Sequence, residues 1–216
     1  MNIVIFGPQG SGKGTQAEKL AEHFDAEHID MGKFLREVAA MPTPLGREVW
    51  QIQNVTKTLV PARILQEVFT IKLNSLPREK SIIFDGFPRN ADQTQYFEKA
   101  MSEFGRHTNA AILINLSEEE SLKRISKRWI CAKCKKVFIM GRDIQSEKER
   151  CAECGGEIIQ RTDDTKEGIL KRLKVFREET LPIVEYYKEQ DKLIEIDGTQ
   201  SISEVFKNIL SELEAL

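Results

Sequence analysis

The sequence predicts an α/β fold in which helices flank a central parallel sheet. Four short apolar runs are typical of buried strands, the last of them weaker than the others: Ile3–Phe6, Ile82–Phe84, Ala111–Leu116 and Leu193–Ile196. Segments with the period of amphipathic helices lie between these runs. Alternating strands and helices favour right-handed crossovers, so we expect the strands to run parallel and to be covered on both faces.

Helical patterns occur near both ends of the chain. The first helix is indicated by an apolar stripe with i, i+3, i+4, i+7 spacing, formed by Ala17, Leu20, Ala21 and Phe24. A longer pattern runs from about Thr165 to Gln190 and contains Pro182. Because proline lacks an N–H group and its ring clashes with the preceding turn, we predict a kink or break near Thr180.

Length and composition narrow the class of protein. The 216 residues suit one domain of ordinary size with small insertions, and 40% hydrophobic residues are enough for a buried core. The net charge of −2 is unusual for a protein that coats duplex nucleic acid. The apolar run at the N-terminus is too short for a signal peptide or a membrane span, so we expect a cytoplasmic protein.

Two stretches lack the pattern of the sheet and its crossovers. Residues 31–60 carry two helical patterns separated by prolines. Residues 129–161 are poor in large aliphatic side chains and contain every cysteine. We predict that both stretches are insertions outside the sheet. The core would then consist of residues 1–30, 61–128 and 162–216.

The segment from Gly7 to Thr15 is rich in glycine and lies between the first strand and the first helix. Glycines let backbone N–H groups surround a phosphate, and the N-terminus of the helix adds positive potential. Lys13 is placed to bridge the β- and γ-phosphates of ATP. A chance glycine turn is the alternative. The context favours a P-loop NTPase core with an ATP site formed by Gly10, Ser11, Gly12, Lys13, Gly14 and Thr15.

This loop departs from the common P-loop pattern at one position. A Ser or Thr hydroxyl that binds Mg²⁺ usually follows the lysine, whereas this chain has Gly14 there and a hydroxyl at Thr15. Magnesium would therefore be held mainly by phosphates and water, with carboxylates in its second shell. Asp85, at the end of an apolar strand, is the candidate for that second shell. It could instead cap the turn between strand and helix.

The four cysteines form two close pairs, Cys131 with Cys134 and Cys151 with Cys154. Two Cys-x-x-Cys pairs at this spacing are typical of a zinc ribbon, in which four thiolates surround the ion. All four positions would be filled by sulfur, so the zinc should be structural. Iron, or disulfides under oxidation, are the alternatives. The three histidines lie far from the cysteines in sequence and are expected to be surface or packing residues.

These segments together resemble the adenylate kinase family along nearly the whole chain. The resemblance rests, in chain order, on Gly12–Thr15, Asp85–Arg89, Gln93, Arg124, Arg128, Arg161–Asp164, Arg172 and Asp197–Thr199. The Asp-Gly-Phe-Pro-Arg run is the most specific of these. The resemblance implies a P-loop core, a monophosphate-binding arm at residues 31–60, and a zinc-bearing lid at residues 129–161 that closes over ATP.

The resemblance also implies an enzyme that reversibly transfers a phosphoryl group from MgATP to AMP, giving two ADP. The catalytic groups would be one lysine and five arginines: Lys13, Arg89, Arg124, Arg128, Arg161 and Arg172. The ATP site would include Arg124, Arg128 and Gln200 besides the P-loop. The AMP site would be formed by Met31, Arg36, Val60, Gly86, Arg89 and Gln93. The expected partners are ATP and AMP, with no nucleic acid or membrane partner, and the expected state is a monomer.

The chemistry explains why arginines are expected and a general base is not. The acceptor is a phosphate oxygen that is already ionised near neutral pH, so catalysis depends on positioning and charge stabilisation. Arginine spans two phosphate oxygens and stays protonated. Water competes with AMP as acceptor, so the lid must close before transfer. Asp163 and Asp164 could hold lid arginines in the closed form or cap the helix that follows.

The chain departs from the family's pattern in the arm. Where the family usually has Thr-Gly-Asp, this chain has Met31, Gly32 and Lys33. Lys33 could contact a phosphate, pair with Asp85 or point to solvent. The change leaves CMP, UMP or GMP open as acceptors, although Gln93 favours AMP. A weakly active regulatory paralogue is another alternative, and nucleic-acid binding through the cysteine-rich segment is a third, which the negative net charge disfavours.

Overall fold

A five-stranded sheet forms the centre of the computed structural model, which describes residues 1–56, 60–160 and 164–215. Its strands are β1 (Asn2–Phe6), β2 (Glu27–Asp30), β3 (Ile82–Asp85), β4 (Ala110–Asn115) and β8 (Leu193–Asp197). Their order is β2-β3-β1-β4-β8, and every neighbouring pair is parallel. The predicted α/β class is confirmed. The sequence predicted four of these strands and missed β2.

Apolar side chains form a separate cluster on each face of the central sheet. β1 is buried along its whole length. Val4 and Phe6 pack in one cluster, whereas Ile3 and Ile5 pack in the other. Successive side chains of a strand point to opposite faces, so a strand covered on both sides has a continuous apolar sequence.

Nine α-helices surround the sheets within the described residues. They are α1 (Lys13–His23), α2 (Met31–Ala39), α3 (Pro44–Gln51), α4 (Ala62–Asn74), α5 (Ala91–Glu103), α6 (Glu118–Ser126), α7 (Lys166–Val175), α8 (Leu181–Lys188) and α9 (Ile202–Leu213). Several begin at side-chain caps, such as Thr165 before α7 and Ser201 before α9, which satisfy N–H groups of the first turn. In the part of the chain that the structure describes, none of the helices is long and apolar enough to cross a membrane.

A π-helical segment, Phe176–Thr180, joins α7 to α8 and is called the π link below. The N–H of Leu181 bonds to the carbonyl of Phe176, five residues back. Pro182 follows and has no N–H to donate. The predicted interruption near Thr180 is therefore a widened helical turn. A second π-helical segment, Ile52–Thr56, follows α3.

A second sheet, called the lid sheet, contains the cysteine-rich segment. Its antiparallel strands are β5 (Arg128–Cys131), β6 (Val137–Ile139) and β7 (Ile158–Ile159), in the order β6-β5-β7. The apolar cluster beneath it is small and consists, among the described residues, of Cys131, Phe138, Ile144, Cys151 and Ile158, with three partly buried neighbours.

A buried guanidinium fastens the edge of the central sheet at which β1 begins. Arg106 is only 7% exposed. It donates to Asn2 Oδ1 at 3.2 Å and to the carbonyls of Lys80 and Pro77 at 2.7 and 2.5 Å. These bonds compensate the desolvation of the charge. They also tie the segments before β3 and β4 to the start of β1, so this edge, called the base below, is held in place.

Candidate active site

The glycine-rich loop lies at the carboxyl edge of the central sheet, between β1 and α1. Gly10 and Gly12 have φ values of 80° and 92°, which glycine adopts without a clash because it has no Cβ. α1 begins after Gly12, and no side chain caps it within the described residues. The first N–H groups of α1 are thus available to an anion, as the P-loop motif predicts.

Lys13 folds back over this loop. Its Nζ lies 3.4 Å from the carbonyl oxygen of Pro8. Burial lowers the pKa of Lys13, and the carboxylates of Asp85 and Asp30 oppose that shift. Because negative charge favours the protonated amine, a bound phosphate would act in the same direction as the carboxylates. Arg89 and Arg128 are also near enough to lower the pKa of Lys13.

Asp85 ends β3 beside the first turn of α1. Burial raises its pKa, and the charge of Lys13 opposes this effect. A Cβ atom added at Gly14 would lie 3.2 Å from Asp85 Oδ2, so a larger residue would crowd the carboxylate. The unusual glycine therefore leaves room for Asp85. The side chain of Asp85 makes no hydrogen bond with the described residues, so its alternative role as a cap is not observed.

Two residues that the sequence did not assign to the site lie beside Asp85. Asp30 ends β2 in register with Asp85, and its Oδ1 accepts the N–H of Lys33 at 3.0 Å as the cap of α2. His28 Nε2 lies 4.0 Å from Asp85 Oδ2 and has no hydrogen-bond partner among the described residues. His28 is half-buried and borders the candidate site. Only the register of β2 with β3 shows this, and the sequence did not predict β2.

The predicted residues of the arm occupy different environments. Met31 is 3% exposed and packs in the apolar cluster that contains Val4. The side chain of Lys33 is exposed and makes no ion pair with the described residues, so it points to solvent and does not pair with Asp85. Arg36 is exposed one turn further along α2. Val60 is half-buried against the same cluster as Met31.

Arg89 is exposed at the end of the Asp-Gly-Phe-Pro-Arg run, and its backbone is held from two sides. The side-chain oxygen of Gln93 accepts its N–H at 2.9 Å, and the hydroxyl of Thr180 donates to its carbonyl at 3.0 Å. Its Nε donates to the carbonyl of Gly86 at 2.6 Å. Gly86 has a φ of 73°, and a Cβ there would lie 3.0 Å from Arg89 Nη2. Glycine at position 86 thus admits the guanidinium.

Arg124 joins three segments around the P-loop. Its Nε donates to Glu120 Oε1 at 3.1 Å within α6. Its Nη1 and Nη2 reach the carbonyls of Gly10 and Thr199 at 3.4 and 3.3 Å. The guanidinium thereby lies between the phosphate-binding loop and the segment that follows β8. Gln200, in that segment, accepts a hydrogen bond from Asn208 at 2.8 Å through its Oε1.

One buried carboxylate assembles two further arginines. Asp164 accepts bonds from Arg128 Nε and Nη2 at 2.8 and 2.6 Å and from Arg172 Nη2 at 2.9 Å. The side chain of Asp164 is 2% exposed. The structure thus favours the predicted arginine-holding role of Asp164, since Thr165 and not Asp164 caps α7. Arg161 and Asp163 lie outside the described residues.

The four cysteine sulfurs converge in the lid. All four Sγ atoms lie within 4.8 Å of one another, with Cys131 and Cys154 at 3.4 Å and Cys134 and Cys151 at 3.6 Å. Tetrahedral zinc with Zn–S bonds of about 2.3 Å places sulfurs about 3.8 Å apart. The observed spacing therefore fits a four-thiolate metal site.

The turn around Cys131 favours the thiolate form of that residue. Burial raises the pKa of Cys131, but N–H groups of Cys134 and Lys133 donate to its sulfur and lower the pKa to about 6. A Cβ at Gly156 would lie 2.7 Å from the same sulfur, so only glycine fits there. Lys135 and Gly155 occupy equivalent left-handed positions, four residues after the first cysteine of each pair.

The chain is similar to proteins of one family over nearly its whole length. A family profile described as Adenylate kinase matches residues 5–192. A Petrotoga mobilis protein named Adenylate kinase is 39% identical over 215 residues, covering 100% of this chain and 98% of the relative. Proteins of the same name from Fervidobacterium nodosum and Syntrophomonas wolfei are 37% and 35% identical over 217 and 216 residues, with 99% and 100% of both chains covered.

Proposed function

The chain belongs to the adenylate kinase family and is a phosphotransferase acting on ATP and AMP, and we propose that the cleft at the carboxyl edge of the central sheet carries out this transfer. The observation that supports the assignment is the convergence of cations from separate segments. Arg89 lies in residues 86–90 between β3 and α5, called the acceptor loop below, and Arg128 begins strand β5 of the lid sheet. Both lie close enough to Lys13 to affect its protonation. The cleft can thus neutralise two nucleotides placed end to end.

The donor and the acceptor would bind on opposite sides of Lys13. The N–H groups from Gly10 to Thr15 would surround the β-phosphate of ATP, with Lys13 on the phosphoryl group that moves. Arg36 and Arg89, both exposed, would hold the phosphate of AMP. Gln93 would face the adenine, and it already fixes the backbone of Arg89. Binding fixes the geometry of the acceptor oxygen, which needs no general base.

The arginines at the junction of core and lid would complete the electrostatic stabilisation. Asp164 keeps Arg128 and Arg172 together before any nucleotide binds. Preorganised donors stabilise the charge that develops in a transition state without reorganising at that moment. Arg124 would add its charge next to Gly10. We include Arg161 in this group on the resemblance of its motif.

The carboxylates at this edge fit Mg²⁺ carried by ATP. When bound, the ion neutralises phosphate charge. Gly14 stands where a hydroxyl is usual, and the carboxylate of Asp85 lies beside it, with Asp30 in register with Asp85. Mg²⁺ keeps several waters and is often bound through few carboxylates. We therefore assign Asp85, with Asp30 beside it, to the second shell of the metal.

The lid sheet would exclude water during transfer and would be folded around zinc. We propose the division into a core of residues 1–30, 61–128 and 162–216, an arm of residues 31–60 and a lid of residues 129–161. The four sulfurs form the candidate zinc site. We also propose that the enzyme is cytoplasmic and monomeric and has no nucleic-acid partner.

Steady-state rates of ADP formation test the function directly. The purified chain is assayed with ATP against AMP, CMP, UMP and GMP in the presence of Mg²⁺. AMP should give the highest kcat/KM, because Gln93, which would face the adenine, lies next to Arg89, which would hold the phosphate. Rates at background level with every acceptor would refute the assignment. A higher kcat/KM for CMP, UMP or GMP would instead identify Met31 and Lys33 as part of a changed acceptor site.

A further inference from the structure

The carbonyl of Arg89 receives a hydrogen bond from a part of the chain that belongs to neither nucleotide site. Its partner is the hydroxyl of Thr180, 91 residues away in sequence, at 3.0 Å. Thr180 is 7% exposed and is the last residue of the π link. The side chain of Thr180 is therefore buried, and it contacts the backbone of Arg89 and not its guanidinium.

The π link has contacts on both sides of the cleft. Glu179 Oε2 accepts a bond from Asn90 Nδ2 at 3.4 Å, next to the Arg89 contact. Arg177 Nη1 donates to Glu118 Oε1 at 2.6 Å at the start of α6, the helix that carries Arg124. The link also continues directly from α7, which carries Arg172. One five-residue segment thus touches the acceptor loop and the two helices that carry donor-side arginines.

The widened turn explains how Thr180 reaches the loop. The Leu181 N–H bonds five residues back instead of four, and this shift changes the direction in which the side chains of the turn project. Pro182 cannot donate the N–H that a regular α-helix would use at its position. π-helical turns of this kind often occur at functional sites.

We propose that Thr180 is a positioning residue that sets the backbone of Arg89 and so the guanidinium that holds the acceptor phosphate. The inference rests on the proposed function, because it assigns the acceptor phosphate to Arg89. With Gln93 on the N–H and Thr180 on the carbonyl, the peptide groups on both sides of Arg89 are fixed. Loss of the Thr180 hydroxyl leaves the carbonyl of Arg89 without its hydrogen bond. The Arg89 guanidinium then spends part of its time away from the acceptor phosphate.

Thr180→Val removes the donor while it keeps the shape and burial of the side chain. We expect the KM for AMP to rise about three- to tenfold, the range expected for one hydrogen bond. The KM for ATP should stay within about twofold, because the P-loop is not altered. Thr180→Ser should restore the wild-type KM for AMP, since it keeps the hydroxyl.

Thr94→Val is the matched control. Thr94 is also buried, and its hydroxyl donates at 3.0 Å to the carbonyl of Asn90, one residue beyond Arg89. It lies on α5, and its hydroxyl makes no hydrogen bond with the π link. Thr94→Val should leave both KM values near those of the wild type. Thermal melts establish that each variant is folded, and Thr180→Cys, a weaker donor, replaces Thr180→Val if the latter does not fold.

Two results would overturn the inference. One is an unchanged KM for AMP in folded Thr180→Val, or in Thr180→Cys where it takes that place. The other is an equal rise for both nucleotides, which indicates general loosening of the fold. Failure of the proposed function is distinct, because the wild-type chain itself would then form no ADP from ATP and AMP.

Discussion

The central sheet and the lid sheet are held together in different ways. A large apolar cluster covers each face of the central sheet, and on one face Phe69, Phe84 and Phe97 are in mutual ring contact. In the described part of the lid the cluster has five buried residues, and two of them are the cysteines Cys131 and Cys151. The core has extensive apolar burial, whereas the lid has little and, in our proposal, is stabilised by a zinc ion on its four sulfurs. The two regions should therefore respond to different perturbations.

Removal of the proposed zinc ion should have the largest effect and should act on the lid alone. Zinc binding in small four-ligand modules contributes about 10–16 kcal/mol, far more than a cluster of this size supplies. After chelation, we expect peptides from residues 129–160 to lose protection from hydrogen exchange while β1 and β4 keep theirs. Mass spectrometry with and without zinc measures this directly. Protection that survives in a metal-free lid would show that its folding does not need the ion.

Lys13→Met should have the opposite pattern, with a large loss of activity and an intact lid. Methionine fills similar space without charge. Removal of one preorganised electrostatic group costs about 10²–10³ in kcat. Lys207→Met, at an exposed position on α9, is the control and should leave kcat unchanged. A fall in kcat of less than tenfold for Lys13→Met would contradict the role given to the P-loop.

Asp164→Asn tests the junction between the two regions. Asparagine keeps the shape but loses the charge that holds Arg128 and Arg172. Since hydrogen bonds to charged groups contribute about 1.5–3 kcal/mol each, we expect kcat to fall about ten- to hundredfold. Exchange protection should decrease in α7 more than in β1. An unchanged kcat would mean that nucleotide binding alone can assemble the two arginines.

Asp30→Asn should affect the core site and spare the lid. Asparagine can still cap α2, so stability should be preserved. Loss of one partly screened charge, roughly 1 kcal/mol, should raise the Mg²⁺ concentration for half-maximal binding to the enzyme–ATP complex about fivefold. Calorimetric titration of Mg²⁺ measures this, with exposed Asp92→Asn as control. Equal Mg²⁺ midpoints for Asp30→Asn and Asp92→Asn would show that Asp30 does not act on the metal.

The smallest expected effect concerns the two cysteine turns of the lid, one ending at Lys135 and the other at Gly155. Lys135 and Gly155 have φ values of 64° and 67°, a conformation that favours glycine. Lys135→Gly should therefore stabilise the lid by roughly 0.5 kcal/mol, the relief of strain less the added freedom of the unfolded chain. Gly155→Lys should destabilise it. Urea midpoints followed by exchange in the lid would show whether the two turns are equivalent.

The sequence predicted those parts of the fold whose cause is local. β1 and β4 were recognisable because, apart from Asn2 and Asn115 at their ends, both are buried on both faces and apolar. The break near Thr180 follows from one proline. The cysteine site follows from two short spacings. β2 was missed because three of its four residues are polar and only half-buried.

The site was predictable in its residue types but not in its long-range pairs. Lys13, Asp85 and Arg89 stand in motifs whose chemistry is local. The pairing of Asp30 with Asp85 depends on strand register, and the contact of Arg128 with Asp164 joins residues 36 apart. The contact between Thr180 and Arg89 joins residues still further apart. Such pairs result from packing of the whole chain, which no short window contains.

The buried guanidinium of Arg106 also provides a fixed reference for measuring motion. It anchors Asn2, Pro77 and Lys80 at the base of the sheet, opposite the cleft. A spectroscopic probe at exposed Glu79 would therefore report little movement of its own. With a second probe on the lid, the distance between the two probes would report the position of the lid in single molecules.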